Sequence, residues 1–69
     1  MKDNYFGKQL KELRIAHGLS QRELGDVFGF SNQAVSFWES GRSDPDLDML
    51  VAIAKYFNVS TDELLGLKD

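Results

Sequence analysis

The 69-residue sequence contains no cysteine, a single proline and a single histidine, His17. Without cysteine the chain cannot form a disulfide, a thiolate zinc site, an iron–sulfur cluster or a cysteine nucleophile. One histidine excludes a metal centre built from several imidazoles and leaves no nucleophile–base pair. No apolar run approaches the roughly 18 residues that cross a bilayer, and residues 1–10 lack the apolar core of a signal peptide. We therefore expect no enzyme activity, metal, cofactor or membrane association, and a reducing cytoplasm as the location.

Composition and charge predict one small domain, residues 1–69. Such a chain buries about 60% of the surface that its unfolded form exposes, and 42% hydrophobic residues are too many for a disordered segment. The net charge of −3, taken as a whole, argues against a nucleic-acid ligand. Residues 1–42, however, carry six cationic and five acidic side chains (net +1), whereas residues 43–69 carry two and six (net −4). The N-terminal part is thus able to face a polyanion, unless these charges merely solvate the surface.

The spacing of apolar residues predicts five short helices and no strand. Apolar side chains recur every three or four positions, and glycine or asparagine interrupts them at intervals. The pairs Ser20/Glu23 and Ser60/Glu63 form capping boxes, in which a hydroxyl and a carboxylate satisfy each other's backbone amides. Ser31 and Asp46 are the expected N-caps of the third and fourth helices. The five helices lie within residues 4–17, 20–29, 32–40, 46–58 and 60–66. Apolar positions along them include Val27 and Leu47, and Trp38 is expected in the core of this compact all-α domain.

The connection between the second and third helices is very short. It consists of Gly29, Phe30 and Ser31, and this length prevents the two helices from packing antiparallel. They must cross steeply as a helix-turn-helix, in which the second helix of the pair projects outward. Apolar residues on both sides of the turn clamp the pair together: Leu24, Phe28, Phe30 and Val35.

The projecting helix exposes four side chains, Asn32, Gln33, Ser36 and Phe37. An amide carries a donor beside an acceptor, which matches the N6 and N7 edge of adenine in the major groove. Ser36 can serve either kind of partner, and Phe37 can lie against a thymine methyl group or cover an apolar patch on a partner protein. One exposed amide is an ordinary surface residue. Four such side chains after a tight turn indicate base recognition.

These residues resemble the Cro/lambda-repressor (XRE) family of helix-turn-helix domains over about residues 10–65. The matching positions are Ser20-Gln21-x-Glu23-Leu24, Val35-Ser36-x-Trp38-Glu39-x-Gly41-Arg42, Pro45, Leu50, Ala54, Asn58-Val59-Ser60 and Glu63-Leu64-Leu65. The resemblance implies a five-helix lambda-repressor-like fold that binds operator DNA, usually as a dimer on palindromic half-sites, and acts most often as a repressor. Two positions depart from the family: Gly25 stands where alanine is common, and Phe37 stands where lysine or another polar residue is frequent.

The resemblance also implies roles for individual residues. Base edges would be read from the recognition helix, residues 32–40, by Asn32, Gln33, Ser36 and Phe37. The sugar–phosphate strand would be held by Gln21, Ser31, Ser40, Arg42 and Ser43, and helix N-termini and nearby cations do attract phosphate. Arg14 would form a buried structural ion pair with Glu39, or would reach a phosphate instead.

The last third of the chain offers a second kind of surface. Its apolar side chains Val51, Tyr56, Leu65 and Leu67 would form a dimer face, or a seam to an oligomerisation domain of a longer protein. Both readings remain open, because 69 residues suit a whole small protein as well as a DNA-binding part. The acidic balance and the apolar Phe37 favour an alternative function, a helix-turn-helix module that binds a protein partner and binds DNA weakly or not at all.

Overall fold

The computed structural model describes residues 4–67 and contains five helices in that range, with no strand among these residues. They are α1 Tyr5–Ala16, α2 Gln21–Phe28, α3 Asn32–Ser40, α4 Leu47–Phe57 and α5 Thr61–Leu65. The predicted all-α, five-helix fold is confirmed. None of the helices between residues 4 and 67 is long and apolar enough to cross a membrane.

Side chains cap the N-termini of α2 to α5, as the sequence predicted. The Ser20 hydroxyl accepts from the backbone N–H of Glu23 at 3.0 Å, and the Glu23 carboxylate accepts from the Ser20 N–H at 2.8 Å. The remaining three caps are provided by Ser31, Asp46 and Ser60. Each cap satisfies a backbone donor that has no partner within its helix. The starts of these helices are therefore fixed by side chains within three residues of the cap.

The capping box of α2 makes part of the stability depend on pH. Hydrogen bonds from the Ser20 backbone and then from the Ser20 side chain lower the pKa of the Glu23 carboxyl. A carboxyl group whose pKa is lowered by folding stabilises the protein at pH values above its unfolded pKa, which is about 4.3 for Glu. This stabilisation is lost as the pH falls through the folded pKa. We expect the melting temperature of Glu23→Gln to lie below that of the wild type at pH 7. The two should converge on acidification below about pH 4.3, as followed by circular dichroism. A constant difference across this range would contradict the assignment.

The core draws side chains from all five helices. Its members are Phe6, Leu10, Leu24, Val35, Trp38, Leu50, Ile53, Ala54, Phe57 and Leu64. Trp38 is 5% exposed, in agreement with its predicted place in the core. Two apolar positions of the sequence pattern lie outside it: Leu47 is 79% exposed and Val27 is 44% exposed. Leu47 opens α4 one turn before the buried stripe that begins at Leu50, so no neighbouring helix covers it.

Glycine allows α1 to approach the end of α3 closely. A Cβ atom at Gly7 would lie 2.5 Å from the carbonyl oxygen of Glu39 and 2.6 Å from that of Trp38. Asn4, which was expected inside the first helix, instead precedes it in a left-handed conformation with φ of 53°. Its side-chain amide donates to the carbonyl of Glu39 at 3.1 Å. The start of α1 is thus anchored on the C-terminal end of α3.

A second close approach shapes the turn between α2 and α3. A Cβ atom at Gly25 would lie 2.5 Å from the carbonyl oxygen of Phe30. Gly29 adopts a left-handed φ of 76°, which L side chains resist, and the Phe30 N–H donates back to the Gly25 carbonyl at 2.8 Å. The space that Gly25 leaves open is therefore occupied by the backbone of the turn.

Candidate nucleic-acid interface

The side of α3 that faces away from the core carries the predicted base-reading residues. The buried side of α3 consists of Val35, Trp38 and Glu39. At about 100° per residue, Gln33 and Phe37 lie on the opposite side and Ser36 lies at its edge, whereas Asn32 is in line with Glu39, two turns earlier, at the N-terminal end of the helix. Asn32 and Gln33 are exposed, whereas Ser36 and Phe37 are half-buried. The structure thus places Gln33 and Phe37 on the outer surface of α3, Ser36 at its edge and exposed Asn32 at its N-terminal end.

The outer surface of α3 carries no acidic group. The only charged residue of the helix is Glu39, and its carboxylate is buried. At the N-terminus, the Ser31 hydroxyl accepts from the Ala34 N–H at 3.2 Å, which leaves the hydroxyl proton available to a further acceptor. A helix N-terminus also bears a partial positive charge. This end of α3 can therefore approach a polyanion without repulsion from its own side chains.

A buried polar network fixes the orientation of α3. Arg14 donates from Nε to Glu39 Oε2 at 2.6 Å and from Nη2 to Glu39 Oε1 at 3.1 Å. The side chains are 11% exposed for Arg14 and 4% exposed for Glu39. Gln21 Nε2 also donates to Glu39 Oε1, at 3.1 Å, and Arg14 Nη1 donates to the Leu19 carbonyl at 2.8 Å. Among residues 4–67, no buried side-chain nitrogen or oxygen lacks a partner. The network joins α1, the start of α2 and the end of α3.

The network bears on two sequence predictions. The ion pair expected between Arg14 and Glu39 is present, and the Arg14 guanidinium also donates to the Leu19 carbonyl. That Gln21 joins this pair was not predicted from the sequence. One N–H of the Gln21 amide is engaged with Glu39, so its second N–H and the backbone amide at the start of α2 are what it can offer a phosphate.

The chain folds back on Phe37 at the end of α3. The Phe37 carbonyl accepts from the Arg42 N–H at 2.9 Å, the Ser43 N–H at 3.3 Å and the Ser40 hydroxyl at 3.2 Å. The guanidinium carbon of Arg42 lies 4.9 Å from the centre of the Phe37 ring. The hydroxyl proton of Ser40 is therefore used within the protein, whereas Arg42 and Ser43 are exposed residues of this turn.

The contact between Phe37 and Arg42 was missed in the sequence, although a signal for it existed. Gly41 ends α3 with a left-handed φ of 81°, and the bonds from Arg42 to Phe37 and from Gly41 to Trp38 form a Schellman motif. A contact between the second residue beyond the helix and the side chain five positions earlier frequently accompanies this motif. Glycine at position 41 thus predicts that residues 37 and 42 meet.

Comparisons with known proteins agree with this geometry. A family model described as helix-turn-helix matches residues 10–64. The transcriptional regulator ImmR of Bacillus subtilis is 42% identical over 60 residues, covering 87% of this chain and 47% of the relative. The transcriptional activator BcrR of Enterococcus faecalis is 40% identical over 61 residues, covering 88% of this chain and 30% of the relative. The chain therefore spans less than half the length of these two relatives.

A solved structure resembles the whole arrangement of helices. It is the crystal structure of the P22 c2 repressor protein in complex with a synthetic operator, with a TM-score of 0.79 and 32% sequence identity. The superposition covers 86% of this chain and 89% of that chain. The segment matched by the family model contains α2, α3 and the turn between them.

Proposed function

The chain belongs to the helix-turn-helix family, and from that premise we propose that it regulates transcription by binding duplex DNA in a sequence-specific manner, with α3 in the major groove. The observation that carries this proposal is the outer surface of α3, where amide and hydroxyl side chains stand free of acidic groups. The same fold holds an operator in the P22 c2 repressor complex, which supports this function. Proteins of this kind act by binding, so the proposal includes no enzymatic step.

The candidates for base recognition are the four side chains named from the sequence, Asn32, Gln33, Ser36 and Phe37. A bidentate contact between an amide side chain and adenine contributes about 1–3 kcal/mol of discrimination against other bases. Gln33 is exposed on the outer side of α3 and is therefore the first candidate for such a contact. Phe37 is half-buried, which limits how much of its ring can reach a base.

Phosphate contacts would flank α3 on both sides. The candidates are Gln21, Ser31, Ser40, Arg42 and Ser43. Arg42 is the strongest of them, because a guanidinium can bind a phosphate with two parallel hydrogen bonds. The side chains of Gln21 and Ser40 each donate a hydrogen bond within the protein, so we expect them to contribute less to phosphate binding.

A homodimer on a palindromic operator fits the size of the domain. Two recognition helices in successive major grooves on one face of DNA are about 34 Å apart, and the domain measures 31 × 24 × 21 Å between Cα atoms. Two copies at this spacing would touch at their margins. Exposed Val51, Tyr56 and Leu67 remain candidates for that contact, whereas Leu65, expected among them, is half-buried against the core. The candidate mechanism is repression by occlusion of a promoter, in the cytoplasm.

Selection of duplexes from a randomised pool, followed by fluorescence anisotropy at several salt concentrations, tests the proposal. Gln33→Ala should relax discrimination at one base pair by about 1–3 kcal/mol. Arg42→Ala should weaken binding to selected and random duplexes alike and reduce the salt slope by about one unit. Lys55→Ala on α4 removes the same charge at a position with no assigned contact and is the matched control. Absence of salt-sensitive binding by the wild type would favour the alternative, a module for a protein partner.

A further inference from the structure

Given the proposed function, on which this step rests, we propose that Phe37 is a positioning residue for Arg42 and not a reader of bases. The aromatic ring and the backbone carbonyl of Phe37 hold Arg42 so that its guanidinium presents its donors to the phosphate backbone. Phe37 then raises the affinity for DNA of any sequence. This assignment replaces the thymine contact expected from the sequence.

Two attachments of different kinds join the residues. The Arg42 guanidinium carbon lies 4.9 Å from the ring centroid of Phe37, within the roughly 6 Å at which a cation is attracted to an aromatic face. The Arg42 N–H donates to the Phe37 carbonyl at 2.9 Å. The backbone bond fixes where the Arg42 side chain starts, and the ring fixes where it ends.

The contact with the ring leaves the N–H donors of Arg42 available. A guanidinium packs on a ring through its flat face, whereas its N–H donors radiate in the plane of the group. The contact with the Phe37 ring is a cation–π contact, which does not consume a hydrogen-bond donor, and Arg42 itself is exposed. Its donors can engage two phosphate oxygens at once.

Holding Arg42 in advance lowers the cost of binding. A free arginine side chain has many rotamers, and their loss on binding opposes association. The ring restricts these rotamers before DNA arrives, so more of the phosphate contact contributes to affinity. With the guanidinium over its ring and the residue only partly exposed, Phe37 has little surface left for a thymine methyl.

The two roles of Phe37 predict different results for Phe37→Leu. Leucine keeps an apolar side chain that could contact a thymine methyl group, but it provides no aromatic face for the Arg42 guanidinium. We expect Phe37→Leu to weaken binding to DNA about two- to fivefold. The loss should be the same for a selected duplex and for variants of that duplex in which each T·A pair in turn is replaced by another base pair. Arg42→Lys keeps the charge but lacks the planar donors that can bind two phosphate oxygens at once, and it should also weaken binding to all duplexes alike. Phe37→Tyr keeps the ring and should restore the affinity that leucine loses.

A double-mutant cycle separates positioning from a general structural effect. In the Arg42→Ala background, Phe37→Leu should cause no further loss of affinity, as measured by anisotropy with folding verified by circular dichroism. Loss confined to duplexes that contain one particular T·A pair would overturn the inference, as would an equal loss with and without Arg42. Either result would leave DNA binding by the wild type intact, whereas failure of the wild type to bind any duplex would overturn the proposed function instead.

Discussion

Glu39→Ala is expected to lower the free energy of unfolding by about 3–5 kcal/mol, the usual cost of removing one partner of a buried ion pair. The substitution leaves the Arg14 guanidinium, with a side chain only 11% exposed, without its carboxylate. It also removes the acceptor of the Gln21 amide. Small domains are stable by about 5–15 kcal/mol, so the variant should lie close to the limit of folding at 25 °C.

Urea unfolding followed by tryptophan fluorescence measures this loss, because Trp38 is buried beside the pair on α3. Arg14→Ala should cost a similar amount, since it strands a carboxylate whose side chain is 4% exposed. Replacing both residues by methionine should cost less than either single alanine, because no charge is then left unpaired. Glu12→Ala, at an exposed position of α1, is the control with an expected change within about 0.5 kcal/mol. A Glu39→Ala protein as stable as this control would show that the pair contributes nothing.

Gly7→Ala is expected to destabilise the domain by about 2 kcal/mol, although alanine is the better helix former. Alanine in a helix gains about 1 kcal/mol over glycine, whereas overpacking a filled site costs about 1–3 kcal/mol. Here the added methyl group would meet two backbone carbonyls, those of Trp38 and Glu39, at 2.6 and 2.5 Å. Backbone atoms cannot rotate away as a side chain can, so α1 and α3 must separate. The overpacking cost should therefore be near the upper end of its range, about 3 kcal/mol, and should exceed the gain in helix propensity.

The midpoint of urea unfolding, compared at constant m-value, gives the size of this effect. Lys8→Ala is the matched control, because it alters the neighbouring, exposed position of the same helix. Amide chemical shifts at Trp38 and Glu39 should change in Gly7→Ala and stay constant in Lys8→Ala. An increase in stability for Gly7→Ala would mean that helix propensity decides at this position and that the two helices do not meet as described.

The helices were predictable from the sequence because their ends are set by nearby residues. Ser20 and Glu23 are three positions apart and form the predicted capping box, and Gly29 closes the same helix with a positive φ. The outer surface of α3 was predictable for the same reason, since the period of a helix alone separates Gln33 from Val35. Interactions within one or two turns leave a readable pattern.

Contacts between distant segments left no such pattern. The bond from Asn4 to the Glu39 carbonyl joins residues 35 positions apart, and nothing near Asn4 in the sequence indicates it. Leu47 has the spacing of a core residue, but its burial depends on whether another helix lies over the first turn of α4, and none does. At the candidate site, the engagement of Gln21 with Glu39 depends in the same way on how α2 packs against α3.

The local caps also bear on how quickly the chain folds. Starting a helix is its least favourable step, because several residues must be ordered before hydrogen bonds accumulate. In α2 to α5 a side-chain cap within one turn supports this step without help from the rest of the chain. Domains dominated by such short-range contacts fold within microseconds to milliseconds. An opened copy of this domain should therefore re-form quickly, which limits the time during which its apolar segments can associate with those of other chains.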